Sequence, residues 1–332
     1  MKKIGITSTI PLEILLAAGY QPVDLNNIFI SDPQPERLIR MAERHGFPLN
    51  TCSWIKGIFG VVKEHRIDTV LGMTSGDCSN TLMLLEVLAL EGIRAIPFAY
   101  PSTPKITEMT KELTALATHF GTDVKEAEKI RANLLPCRHL LAEMDRLSWQ
   151  ENKASGLENH YWLVSSSDFN GNSERFYTEL RETTQAIENR QPFPNDMLRL
   201  AFCGVPAVYG KELYPFLEEH GARVVFNEVQ RQFAMTAPVK NLAEQYTRYT
   251  YPYSTAARLT DINTECDKRQ VDGVIHYVQA FCHRAIGDIV FRRTLKYPIL
   301  TLEGNTEFSL TQHTKTRLEA FLDMLRQHKK LK

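Results

Sequence analysis

Three cysteines of this chain stand where chemistry can be placed. Cys52 lies in TCSWIKGIFG, between Thr51 and Ser53 and just before a helical pattern. Cys78 lies in IDTVLGMTSGDCSNT, directly after an apolar strand and before a helical run, and Cys282 has the equivalent place after GVIHYV in GVIHYVQAFCHRAIGD. A thiol at a helix N-terminus meets free amide N–H groups and the positive end of the helix dipole, which lowers its pKa and suits metal ligation. Three converging thiolates would serve either zinc or an iron–sulfur cluster, since both take soft sulfur ligands. A structural zinc site wants a fourth protein ligand, usually from a CxxC knuckle, and the chain has none. Three thiolates with an open fourth position would leave one metal atom to a substrate. The competing reading is that all three are buried thiols with no ligand role. Cys137 falls inside a predicted helix, Cys203 ends an apolar strand beside Gly204, and Cys266 comes late in a helix, so these three read as packing.

The elements that must carry these thiols alternate along the chain. KKIGIT reads as a strand, PLEILLAAG as a helix with Pro in its first turn and Gly at its end, and QPVDLNNIFI as a second strand. PERLIRMAERHG and IKGIFGVVKEHR are helical, IDTVLGM is a strand, SNTLMLLEVLALEG a helix and IRAIPFAY a strand. Residues 104–150 are helical throughout, and the pattern weakens around SWQENKASGLEN. A second series starts near 197: strand MLRLAFCGVP, helix YGKELYPFLEEHG and strand ARVVFNEV. Helices around 238–248 and 255–270 follow, then strand VDGVIHYV, helix AIGDIVFRRTLK, strand YPILTLEG and a final helix over 312–329. Repeated βα alternation with short connections predicts parallel sheets. The expectation is an α/β protein with two Rossmann-like, doubly wound parallel-sheet domains and a helical connecting region. Its divisions are an N-terminal α/β domain with helical extension over 1–150, a helical connector over 151–196 and a C-terminal α/β domain over 197–332.

Composition narrows the function classes. With 332 residues, 43% hydrophobic and 23% charged, the chain can bury two cores of ordinary domain size. Lys+Arg and Asp+Glu are equal at 39 each, so no basic excess argues for nucleic acid or an anionic membrane. No apolar run reaches 20 residues, and Pro11 breaks the start MKKIGITSTIPLE too early for a signal peptide. A cytoplasmic protein without membrane association is expected, its six cysteines reduced or on metal rather than paired in disulfides.

The ordered set TSTIPLEILLAAGYQPVDL, TCSWIKGIFG, IDTVLGMTSGDCSNT, YPYSTAAR, VDGVIHYVQAFCHRAIGD, YPILTLEGN and TKTRLEAFLDML resembles the catalytic-subunit family of 2-hydroxyacyl-CoA dehydratases, which also contains benzoyl-CoA reductase subunits and double-cubane cluster proteins. The resemblance runs in family order over essentially the whole chain. It implies two Rossmann-like domains enclosing a 4Fe–4S cluster held by three cysteines, which map onto Cys52, Cys78 and Cys282. It also implies an acyl-CoA substrate, a related second subunit or a homodimer, and a separate ATP-dependent iron–sulfur activator that delivers one electron. That electron turns the thioester into a ketyl radical anion able to expel a hydroxyl group, and is then recycled. By the same resemblance Ser8 could supply an oxygen near the open iron, and Glu13 could handle a proton. Capping of the Pro11 helix explains Ser8 as well, and a first-turn carboxylate on the helix dipole explains Glu13.

Other residues have two readings each. His283 could ligate metal or donate to sulfur, or simply start a helix. Asp77 and Asn80 shape the turn around Cys78. Arg248 and Arg258 could bind CoA phosphates or stand on solvated helix faces. Tyr246, Tyr249, Tyr251 and Tyr253 could line a cleft or pack a domain. Two rival functions stay open beside radical dehydration. One is an ATP-coupled small-molecule reductase or electron-relay subunit of the same fold, including the double-cubane type. The other is a non-enzymatic cluster- or metabolite-binding protein. Some relatives carry a cysteine in the turn where this chain has Thr7, Ser8 and Thr9, which speaks against a double cubane.

Overall fold

Short apolar runs bounded by Gly, Pro and Asp become eight parallel strands: β1 Lys2–Ile6, β2 Tyr20–Asp24, β3 Thr69–Ser75, β4 Arg94–Ala99, β5 Leu198–Gly204, β6 Ala222–Asn227, β7 Gly273–Gln279 and β8 Ile299–Gly304. They are seen in a computed structural model that describes residues 2–76 and 78–331; Asp77 therefore lies outside the described residues. The strands form two separate four-stranded sheets, ordered β2-β1-β3-β4 and β6-β5-β7-β8, with every neighbouring pair parallel. Both orders follow one rule: the chain steps outward from the first strand to the second, then returns past it to the third and fourth. With right-handed crossovers, the first connection of each sheet falls on one face and the later ones on the other, so each sheet is doubly wound.

Two compact units divide the chain. One comprises Met1–Arg138, Ser165–Tyr177 and Met235–Ser254; the other comprises His139–Val164, Thr178–Ala234 and Thr255–Lys332. Each is assembled from three stretches of sequence, whereas the division at 150 and 196 is linear, and the residues of the 151–196 connector are shared between them.

Local chemistry explains the elements and two departures from expectation. LNNIFI is not part of a strand: β2 stops at Asp24, whose carboxylate N-caps helix Leu25–Ser31 by accepting from the amides of Asn26 (2.8 Å) and Asn27 (3.4 Å). After Cys282 the chain makes only a short 3-10 turn, His283–Gly287, before helix Asp288–Thr294. In the first unit, helix Ser53–Glu64 lies so close to helix Pro35–Arg44 that a β-carbon on Gly60 would stand 2.5 Å from the Leu38 carbonyl oxygen. The core of the second unit gathers Ala201, Cys203, Phe226, Ile262, Cys266, Val274 and Phe291. Among the described residues, no helix is long and apolar enough to cross a membrane.

Candidate functional site

In a doubly wound sheet the ligand crevice opens at the carboxyl ends of the strands, where the winding reverses. In the first unit that point lies between β1 and β3. The segment after β1 is Thr7–Pro11, and the segment after β3 runs from Gly76 through Cys78 to helix Asn80–Leu90. Cys52 is the N-cap of helix Ser53–Glu64, which feeds β3. A helix leading into a parallel strand starts at the carboxyl edge of the sheet, so Cys52, Cys78 and the Thr7–Thr9 turn all belong to the same edge. In the second unit the reversal lies between β5 and β7. Cys282 comes three residues after the end of β7 at Gln279, as Cys78 comes three after the end of β3 at Ser75.

The loop before Cys52 is fastened by a buried lysine. Lys56 Nζ donates to Glu43 Oε1 (2.7 Å) and to the Leu49 carbonyl (3.1 Å), from a position 2% exposed. The Cys78 loop turns at Gly76, whose φ of +102° is a glycine conformation, and a β-carbon there would stand 2.8 Å from Pro252 Cβ. Cys52 is buried, and Cys78 and Cys282 are half-buried. Asn80 opens the helix after Cys78, and His283 is exposed at the start of its short turn.

The Thr7–Thr9 turn is buried and tied down on several sides. Thr7 Oγ1 accepts the Met73 amide of β3 (3.1 Å), the Thr7 carbonyl accepts from Asn26 Nδ2 (3.0 Å), and the Thr9 carbonyl accepts from Tyr100 OH (3.3 Å). Ser8 sits in this turn at 8% exposure. The following helix, Leu12–Ala17, has Pro11 as its N-cap, and its Leu12 amide donates to Tyr246 OH at 3.2 Å. Glu13 is fully buried, and both its oxygens are engaged. Oε1 accepts from Arg138 Nη2 (2.8 Å) and Gln245 Nε2 (2.8 Å), while Oε2 accepts from Tyr246 OH (2.6 Å). Burial first, and then the nearby Glu13 charge, push the Tyr246 phenol well above its ordinary pKa, so it remains a donor.

Arg258 stands on no solvated face: it is 4% exposed and pairs with Glu228 through two bonds of 2.8 Å. Arg248 does reach solvent and pairs with Glu244 Oε1 at 2.9 Å. The tyrosine run is packing within the first unit. Tyr246 holds the Leu12 helix, and the Tyr100 ring meets those of Tyr249 at 5.7 Å and Tyr253 at 6.3 Å. The remaining cysteines are core residues. Burial raises the Cys137 and Cys203 thiols and pushes Cys266 up to about 12, away from the thiolate form that a metal needs.

At the carboxyl edge of the second unit, Glu228 also accepts the Gly204 amide at the end of β5 (3.0 Å). Burial raises the Glu228 carboxyl, and the Arg258 charge and bonds bring it below its ordinary value.

With the architecture in place, the sequence profile of 2-hydroxyglutaryl-CoA dehydratase, D-component, matches residues 7–325. The chain belongs to that family. The match takes in seven of the strands, β2 to β8, and all five of Ser8, Glu13, Cys52, Cys78 and Cys282. No curated protein matches the chain. A solved structure described as "Periplasmic heme-binding protein BhuT in complex with two hemes (holo-2 form)" covers 98% of each chain at 13% identity, with a TM-score of 0.22, too low to bear on fold or ligand.

As a donor set, three thiols suit the sulfur-ligated iron cluster that the family implies. Among the described residues, no three His, Cys, Asp or Glu side chains gather as a metal-holding group. Cys52 and Cys78 belong to the first unit and Cys282 to the second. Sequence reasoning missed Lys56, Arg138 and Gln245, whose roles depend on partners that the alternation pattern cannot pair with them.

Proposed function

We propose that this chain is an iron–sulfur-dependent 2-hydroxyacyl-CoA dehydratase-like subunit in which Cys52, Cys78 and Cys282 hold a 4Fe–4S cluster. The observation that carries this reading is the repeated placement of Cys78 and Cys282, each three residues beyond the third strand of identically ordered sheets, in a chain matched by the dehydratase family almost end to end. When bound, the cluster would supply a low-potential electron and a Lewis-acidic iron for the thioester carbonyl. The electron would come from an ATP-dependent iron–sulfur activator, and a related second subunit or a second copy would complete the enzyme in the cytoplasm. Loss of water from a 2-hydroxyacyl-CoA leaves an enoyl-CoA with no net redox change, so the electron is returned after each turnover.

The chain's own residues would bind and orient. The turn carrying Ser8 is pinned to β3 through Thr7 and Met73 and would present its hydroxyl at the crevice. Glu13, bonded to Arg138, Gln245 and Tyr246, would hold the helix after that turn rather than meet substrate itself. The test is anaerobic turnover with reduced activator, ATP and a 2-hydroxyacyl-CoA. Enoyl-CoA formation, together with an acyl-CoA-dependent change in the paramagnetic spectrum, is the expected result. A spectrum indifferent to acyl-CoA, with no product, would make the chain an electron relay instead.

A further inference from the structure

The turn carrying Cys282 is held in an uncommon way. Phe281, its neighbour, has φ +61° and is 53% exposed, so a bulky aromatic residue occupies the left-handed region with little burial of its ring to offset the strain. Such a conformation persists where the surroundings impose it. Here they form a clasp around the loop. His276 of β7, 3% exposed, donates from Nδ1 to Asp288 Oδ1 at 2.7 Å, and Thr301 Oγ1 of β8 donates to the same oxygen at 2.7 Å. His276 and Thr301 are register partners across the β7–β8 pair, so the two donors stand side by side. Asp288 is the first residue of the helix that leaves the loop, so its carboxylate joins the strand entering the Cys282 turn to the helix following it. Phe291, on that helix, stacks on the His276 ring at 4.2 Å and 5°, and the Arg258 guanidinium lies 4.9 Å from the Phe291 ring centre.

We propose that Asp288 is the positioning residue of Cys282: by receiving His276 and Thr301 on one oxygen, it closes the loop of residues 280–287 and keeps the cysteine where a ligand is needed. The consequence for iron rests on reading Cys282 as a cluster ligand; the consequence for the loop does not. A clip that merely stabilised the second unit would also affect the buried thiols of that unit, Cys203 and Cys266, whereas a positioning residue acts on Cys282 alone.

The experiment is timed alkylation of the apoprotein with iodoacetamide, resolved by cysteine through peptide mass spectrometry, in the wild type, Asp288→Ala, Asp288→Asn and Thr301→Val. Asp288→Ala should speed alkylation of Cys282 by about tenfold while Cys203 and Cys266, buried in the same unit, stay within about twofold, as expected for local opening. Asp288→Asn, whose amide oxygen can still accept both donors, should remain near wild type. Should Asp288→Ala fail to fold, Thr301→Val removes one donor with little change of shape and should speed Cys282 alone by about threefold. An unchanged Cys282 rate, or a rise shared by Cys203 and Cys266, overturns the proposal. Iron analysis of anaerobic Cys282→Ser separates the two claims. Iron retained there, beside a selective Cys282 response in Asp288→Ala, keeps the clasp and removes the ligand role.

Discussion

Replacing Tyr246 by Phe tests how the Ser8 turn is held. The phenol is fully buried, and its hydroxyl does three things at once. It receives the Leu12 amide at 3.2 Å, lies 2.9 Å from the Ile10 carbonyl oxygen and donates to Glu13 Oε2 at 2.6 Å. The Leu12 amide keeps a contact with the Ile10 carbonyl at 2.7 Å, so the main loss is the bond to the carboxylate. A buried hydrogen bond to a charged group contributes about 1.5–3 kcal/mol, and the ring itself stays in place, so Tyr246→Phe should cost about 2–3 kcal/mol. Because the two units need not unfold together, a single denaturation midpoint is a poor readout, and amide exchange of Leu12 is better. Its exchange should speed by on the order of a hundredfold, with amides of β5 and β7 unaffected. An unchanged Leu12 amide would mean that the turn is held by other contacts, and the positioning role given to Glu13 and Tyr246 would be wrong.

Four other outcomes are expected. Asp168 accepts the Asp24 amide at 2.8 Å and the Asn170 amide at 2.9 Å, and burial, then the Asp24 charge, raise its pKa to about 7. A carboxyl raised in the folded state binds a proton that the unfolded chain has released. Stability from this pair is therefore present below about pH 4 and is lost as pH climbs towards 7, by about 2 kcal/mol between pH 5.5 and 8. Asp24→Asn, which removes the repulsion but not the burial, should diminish that loss in urea titrations at the two pH values; an unaltered loss would place the titration elsewhere. Gly76→Ala should destabilise the Cys78 loop by about 1–3 kcal/mol from its φ alone, with the Pro252 contact adding to it, read as faster amide exchange at the end of β3 and as a fall in bound iron. Wild-type values of both would show that the loop accommodates a β-carbon. Glu228→Gln leaves the buried Arg258 cation without its carboxylate and should cost about 3–5 kcal/mol, measured by exchange of β5 amides such as Gly204. Single Ser replacements of Cys137, Cys203 and Cys266 should leave iron content unchanged, and a loss in any of them would bring back the second cubane.

Strand-and-helix alternation was legible because each parallel strand is a short, doubly buried apolar run, and runs such as IDTVLGM and GVIHYV cannot be confused with amphipathic helices. Two features misled. LNNIFI is apolar enough for a strand, but Asp24 caps it into a helix, and the run after Cys282 resembles one helix although it splits at Asp288. The interleaving of the two units was not legible at all. It is fixed by contacts such as Glu13 with Gln245 and Asp24 with Ser167, which join residues 232 and 143 positions apart and leave no trace in local periodicity. The same holds for the candidate site. The cysteines were visible because strand ends are visible, whereas Lys56, Tyr246 and Asp288 became visible only once their partners were in place.

The central claim is that Cys52, Cys78 and Cys282 hold one iron–sulfur cluster, and metal analysis of anaerobically purified protein tests it most directly. The wild type should carry about four iron and four acid-labile sulfide per chain, and Ser at any of the three positions should remove most of both. A wild type without labile sulfide would contradict the account, as would undiminished iron in Cys52→Ser, Cys78→Ser or Cys282→Ser.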